Sequence, residues 1–174
     1  IGNSAFSDAT SLTSISIPAG VTSIGYRSFF NTHLTSVTFE SGSKLTSIGE
    51  DAFLGSRFLT SLTIPASVTI VDEGAFEDNT SLTSVTFESG SKLTSIGDSV
   101  FANAESLTSI TIPAGVTSLG YAAFYYTPAL TSVTFESGSK LTSIGEDAFS
   151  GAESLTSITI PAGVTSIGGG AFRT

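Results

Sequence analysis

The chain has no cysteine, no methionine and no tryptophan, and it has a single histidine, His33. Without thiols there is neither a disulfide framework nor a thiolate metal site. One imidazole leaves no second histidine for a typical metal or catalytic cluster, and neither a metal nor a cofactor is expected. Charge is scarce too: only 12% of the residues are Asp, Glu, Lys or Arg, and fifteen acidic against six basic side chains give a net charge of −9. That sign repels phosphate backbones and anionic lipid surfaces, so nucleic acid is not an expected partner. No apolar run approaches the roughly 20 residues that cross a bilayer, so membrane insertion is not expected. The opening Ile1-Gly2-Asn3-Ser4 lacks the basic start and apolar stretch of a signal peptide. What is present is a chain of 174 residues, 40% hydrophobic, with Ser, Thr and Gly filling the polar positions. That is enough apolar side chain for a folded core.

Aligned on itself, the chain shows one hexad seven times, beginning at Leu12, Leu34, Leu59, Leu82, Leu107, Leu130 and Leu155. The starts are 22, 25, 23, 25, 23 and 25 residues apart. Short coils carrying Pro-Ala-Gly-Val-Thr-Ser-Ile-Gly alternate with long ones carrying Phe-Glu-Ser-Gly-Ser-Lys, so the unit is a pair of coils. A period of this length means a repeat solenoid. One coil cannot bury enough apolar surface to offset the ordering of its backbone, and stacking must supply the rest.

Within each coil the last three hexad positions alternate apolar and polar, the mark of a strand with one buried face. Pro18, Pro65, Pro113 and Pro161 end the strand because proline cannot donate to a ladder. A Phe stands four residues after the conserved-phase Gly, and Phe6, Phe29, Phe53, Phe76, Phe101, Phe124, Phe149 and Phe172 are expected to stack along the opposite wall. The acidic segment before it, as in Gly145-Glu146-Asp147-Ala148-Phe149, reads as one helical or 3₁₀ turn. The expected fold is therefore a leucine-rich-repeat-like right-handed coil stack with one parallel β-sheet and short 3₁₀/helical turns opposite. It occupies residues 1–174 as a single solenoid domain of about seven repeats of 22–25 residues.

The pattern L-x-x-I-x-I-P-x-x-V-x-x-I-G-x-x-A-F resembles the BspA-like class of leucine-rich repeats of bacterial and protist surface proteins, over essentially the whole chain. The resemblance implies a concave parallel sheet, a cell-surface or secreted location, and a role in adhesion or host interaction rather than catalysis. Many repeats of that class carry Cys three residues after the Phe; here Ala9, Ala104, Ala152, Ser56 and Asn79 stand there.

The candidate binding surface is the outward row of the strands: Ser36 and Thr38, Ser61 and Thr63, Ser84 and Thr86, Ser109 and Thr111, Ser132 and Thr134, Ser157 and Thr159. It contains no charge. With strands about 4.8 Å apart and alternate residues about 6.7 Å apart, the hydroxyls are expected to form a two-dimensional grid. Such a grid suits a protein or glycan surface ligand, or ice; tandem copying of good strand residues accounts for it equally well.

Tyr26, Arg27, Phe58, Tyr121, Tyr125 and Tyr126, with Phe30 and Arg57, interrupt the consensus near the Phe turn and are read as an aromatic-basic patch of interface-forming residue types. Glu40 with Lys44, Glu88 with Lys92 and Glu136 with Lys140 read as exposed charge pairs, individually of little consequence. Asp51, Asp98 and Asp147 lack the spacing of a calcium loop. No Gly-x-Ser-x-Gly elbow accompanies the serines, Gly168-Gly169-Gly170 lacks the context of a dinucleotide site, and Asn79-Thr80-Ser81 is a glycosylation sequon.

Three functions fit these features: an extracellular or cell-surface adhesion and ligand-binding scaffold, an ice-binding protein, and a structural spacer or fibre. None is an enzyme. The chain begins and stops in mid-coil without polar caps, so it is expected to be part of a longer array or to associate end to end.

Overall fold

The computed structural model describes all 174 residues, Ile1 to Thr174. It contains thirteen short strands and no helix. Each coil but the last runs through a four-residue strand, a two-residue strand and a turn built around the ladder Phe; the last lacks the four-residue strand. The four-residue strands are β1 (Ser14–Ile17), β3 (Ser36–Phe39), β5 (Ser61–Ile64), β7 (Ser84–Phe87), β9 (Ser109–Ile112) and β11 (Ser132–Phe135). The two-residue strands are β2 (Ser23–Ile24), β4 (Ser47–Ile48), β6 (Ile70–Val71), β8 (Ser95–Ile96), β10 (Ser118–Leu119), β12 (Ser143–Ile144) and β13 (Ser166–Ile167). Alternation inside the long strands holds: Leu62 and Ile64 are buried while Ser61 and Thr63 are exposed.

Three walls surround one core of 38 buried hydrophobic residues. The first wall is an unbroken seven-stranded parallel sheet in the order β13-β12-β10-β8-β6-β4-β2. The hexad periodicity predicts strands only in the hexads and does not reveal this wall, although Ser-Ile or its equivalent recurs before the Gly of nearly every coil. A glycine column after it, Gly49, Gly97, Gly120, Gly145 and Gly168, lets successive backbones touch; a Cβ at Gly145 would overlap the carbonyl of Gly120.

The second wall corrects the expectation of one continuous sheet. The long strands form separate groups, β1-β3 and β5-β7-β9-β11. Each short coil pairs with the following long coil over all four residues, as in β5–β7 and β9–β11. The reverse junctions are loose: β7 and β9 share only the pair Ser84 and Ser109, β3 and β5 are not paired, and residues 155–160 form no strand. The cause lies in the longer loop. The Glu88 carboxylate accepts the backbone N–H of Ala66 at 2.9 Å, and the Lys92 N–H donates to the Ala66 carbonyl at 3.0 Å. The equivalent Glu40 and Glu136 take Ala19 and Ala114. Each long coil is thereby clamped backward onto the short one, with no matching clamp forward. These acids and lysines are backbone staples between coils and not the ion pairs that their spacing suggested.

The third wall is the phenylalanine ladder. All eight rings stack, with centroids 4.8–5.7 Å apart and planes within 18° of parallel. The turn that carries each ring is not helical. Residues two before and two after each buried Phe have positive φ, as at Asp51 and Gly55 or Ser99 and Asn103. Alternation of left- and right-handed residues points successive N–H groups in opposite directions. Phe53 donates to Ala75 of the next coil at 2.8 Å, while Leu54 donates back to Asp51 at 3.1 Å. Asp51, Asp78 and Asp147 stand at left-handed positions of this turn, a conformation that Asp and Asn tolerate, and not at a helix N-terminus.

Two threonine columns tie the coils further. Thr46, Thr69, Thr94, Thr117, Thr142 and Thr165 each donate their hydroxyl to the carbonyl of the equivalent Thr one coil earlier, at 3.0–3.3 Å. Thr35, Thr83, Thr108 and Thr131 do the same beside the long strands. This second column lapses or lengthens at the same junctions where the strand wall opens: Thr83 to Thr60 is 2.9 Å, whereas Thr108 to Thr83 is 3.3 Å.

Candidate functional site

The predicted binding residues lie where the alternation puts them. Ser36, Thr38, Ser61, Thr63, Ser84, Thr86, Ser109, Thr111 and Thr134 are exposed on the outer face of the long-strand wall, with Ser132 half-buried at its edge. Ser157 and Thr159 are exposed too, on a segment that is not a strand. The grid is therefore interrupted. Inside a two-strand block neighbouring hydroxyls reach one another, Thr111 and Thr134 at 2.8 Å and Thr63 and Thr86 at 3.5 Å. Between blocks the row opens into clefts.

Three clefts result, one at each long-to-short junction. The first, about 300 Å³, lies between β3 and β5 with Phe39 and Val37 in its lining and Glu88 at its rim. The second, about 240 Å³, lies between β7 and β9 beside Phe87, Ile110 and Glu136. The largest, about 600 Å³, lies between β11 and residues 157–163, with Phe135, Ile158 and Glu136 among its walls. Each combines strand hydroxyls, a half-buried Phe and a carboxylate. The clefts recur with the two-coil period of the sequence, in which spacings of 22 or 23 residues alternate with 25.

The consensus-breaking residues fall into two groups on the Phe wall rather than one. Tyr26, Arg27 and Phe30 form the first; the Arg27 guanidinium lies 4.9 Å from the Tyr26 ring centroid and 5.2 Å from that of Phe30. It is held by Asp51 at 2.9 Å, and this hydrogen bond raises the Arg27 pKa above its ordinary value. Phe58 of the next coil meets His33 edge-on at 4.9 Å. Tyr121, Tyr125 and Tyr126 form the second group, all exposed. Arg57 makes a loose contact with Asp78 at 3.9 Å.

The aspartates of the Phe turns have protein partners: Asp51 has Arg27, Asp98 accepts the N–H of Tyr121 at 2.7 Å, and Asp147 holds Arg173 at 3.2 Å. Glu77, facing Asp78, Asp51 and Glu73, has its pKa raised, mainly by burial and then by those neighbours. Asn79 of the sequon is fully buried and donates to the Phe53 carbonyl at 2.9 Å, with its Oδ1 unpartnered. Thr32, Ser56 and Thr127 share its column: Ser56 likewise donates to the ladder-Phe carbonyl of the preceding coil, whereas Thr32 and Thr127 donate to that of their own coil. The four positions thus each hold a small buried polar side chain that donates to a ladder-Phe carbonyl.

The comparisons with known proteins agree with this architecture. Six copies of the BspA type leucine rich repeat region match residues 1–131 and 79–174. The crystal structure of the pneumococcal vaccine antigen PcpA superposes with a TM-score of 0.69 at 24% identity, covering 87% of this chain and 51% of that one. The chain thus spans about half the length of that protein. The leucine rich repeat protein of T. pallidum superposes with a TM-score of 0.68 at 23% identity, covering 82% of this chain and 77% of that one. No curated protein matches the sequence. The chain belongs to the BspA-type leucine-rich repeat family.

Proposed function

We propose that this solenoid is a non-catalytic binding scaffold displayed outside the cell, and that its ligand face is the outer side of the long-strand wall. The observation that carries the reading is the charge-free hydroxyl row opened into three clefts, each with a half-buried Phe and a glutamate among its walls. A row of clefts recurring every second coil suits a protein or glycan surface that engages several at once, and multivalent engagement raises avidity without strong single contacts. An interrupted row fits a flat ice lattice poorly. Family membership and the description of the pneumococcal relative as a vaccine antigen support display at a surface.

The test is binding of the purified chain to panels of extracellular-matrix proteins and surface glycans, with Thr86→Lys and Thr111→Lys placed on either side of the middle cleft. Loss of binding in both variants, with the fold kept, supports the strand wall as the site. Binding that is indifferent to both rejects it.

A further inference from the structure

The solenoid contains one frame twice, once filled and once open. Gly25-Tyr26-Arg27-Ser28-Phe29-Phe30 and Gly120-Tyr121-Ala122-Ala123-Phe124-Tyr125 occupy the same phase of two short coils. In both, a Tyr follows the Gly and its N–H is accepted by a side-chain oxygen of the preceding coil, Asn3 Oδ1 at 3.0 Å and Asp98 Oδ1 at 2.7 Å. In both, the next residue is left-handed, with φ of 50° at Arg27 and 52° at Ala122. A second aromatic ring follows the ladder Phe, and an aspartate of the next coil, Asp51 or Asp147, closes the frame.

In the first copy the frame is full. The Arg27 guanidinium lies by the Tyr26 and Phe30 rings, donates from Nε to Asp51 Oδ2 at 2.9 Å, and brings Nη2 to 2.9 Å from the same oxygen as an ion pair. In the second copy the side chain at that position is a methyl group. A cavity of about 400 Å³ lies there, lined by Tyr121, Tyr125, Ala122 and Asp147, with Glu77 as a second carboxylate and the chain's own Arg173 at one wall. Tyr121 and Tyr125 are 52% and 42% exposed. Arg173 holds only Oδ1 of Asp147 and stays 68% exposed itself; such an exposed pair is weak and exchangeable.

We propose that this cavity binds an arginine side chain presented by a partner protein, with the guanidinium taking the place that Arg27 takes in the equivalent coil. A planar guanidinium stacks on tyrosine faces and forks onto a carboxylate, which an ammonium does less well. The chain's net charge of −9 favours a basic partner segment over an acidic one. The site is on the Phe wall, so it stands or falls separately from the strand-wall reading.

The probes are N-acetyl-arginine amide and N-acetyl-lysine amide, titrated against the whole chain while the tyrosine ring resonances are followed by NMR. Saturable shifts at Tyr121 and Tyr125 with the arginine probe, several-fold weaker with lysine, are the expected result. Ala122→Arg fills the cavity from within in a backbone conformation the chain already accepts at Arg27, and it should abolish the shifts. Should that variant not fold, Tyr125→Leu keeps apolar cover and removes the aromatic face, and it should weaken binding about tenfold, the equivalent of roughly 1.4 kcal/mol. No saturable shift, equal response to both probes, or unchanged binding in the variants that fold would overturn the proposal.

Discussion

The carboxylate of Glu136 accepts the N–H of Ala114 at 2.9 Å, and four residues further on the N–H of Lys140 donates to the carbonyl of the same alanine at 2.9 Å. This bracket fixes one kind of junction and leaves the other free. Glu136→Ala should destabilise the chain by about 1 kcal/mol, the scale of one charge-assisted hydrogen bond at an exposed site. Glu136→Gln, which keeps an acceptor, should lose less. Denaturant unfolding of the two variants checks the order; equal losses would mean that the carboxylate does not act as a staple.

The ladder predicts a gradient of sensitivity along the solenoid. Phe101 is buried between two stacked neighbours, whereas Phe6 is half-buried and stacks on one. Phe101→Ala should cost about 3–5 kcal/mol, the usual range for emptying a buried aromatic site. Phe6→Ala should cost clearly less. Thermal or denaturant midpoints of the two variants make the comparison.

Glu77 supplies a pH dependence whose sign is fixed by its raised pKa. Burial, followed by Asp78, Asp51 and Glu73, favours its protonated form in the folded state. The folded chain then binds this proton more tightly than the unfolded one. The resulting stabilisation is fully present below the ordinary value of 4.5 and is lost as pH rises through the higher folded value. Glu77→Gln should therefore be more stable than the parent at neutral pH, and the advantage should shrink to nothing below pH 4.5. Melting temperatures across that interval test it, and a constant offset at every pH would contradict it.

Asn79 is a sequon residue with no exposed surface. Chain secreted in folded form from a eukaryotic host should have the mass of the unmodified polypeptide. A glycan found at Asn79 on protein that retains the ladder would contradict the buried placement.

The wall that was legible from sequence was the one with the simplest periodicity. A Phe at fixed phase predicted the ladder, and Ile or Val alternating with Ser or Thr predicted the buried and exposed faces of Leu62, Thr63 and Ile64. The seven-stranded wall escaped because two residues per coil, such as Ser95 and Ile96, give no alternation to detect. The Phe turn reads as helical in the sequence because Asp and Glu before an apolar residue also mark helix starts, whereas at Asp51 and Asp147 the requirement is a positive φ. The clefts escaped because pairing at a junction depends on where Glu40, Glu88 and Glu136 reach, and a one-dimensional repeat does not show which neighbour a side chain takes.

Amide hydrogen exchange on the folded chain tests the alternating junctions most directly. Amides paired across β5–β7 and β9–β11 should exchange slowly, those of the seven-stranded wall slowly throughout, and those facing the β3–β5 and β7–β9 junctions markedly faster. Uniform protection along the whole long-strand wall would show a continuous sheet without clefts, and with it the proposed binding face would be lost.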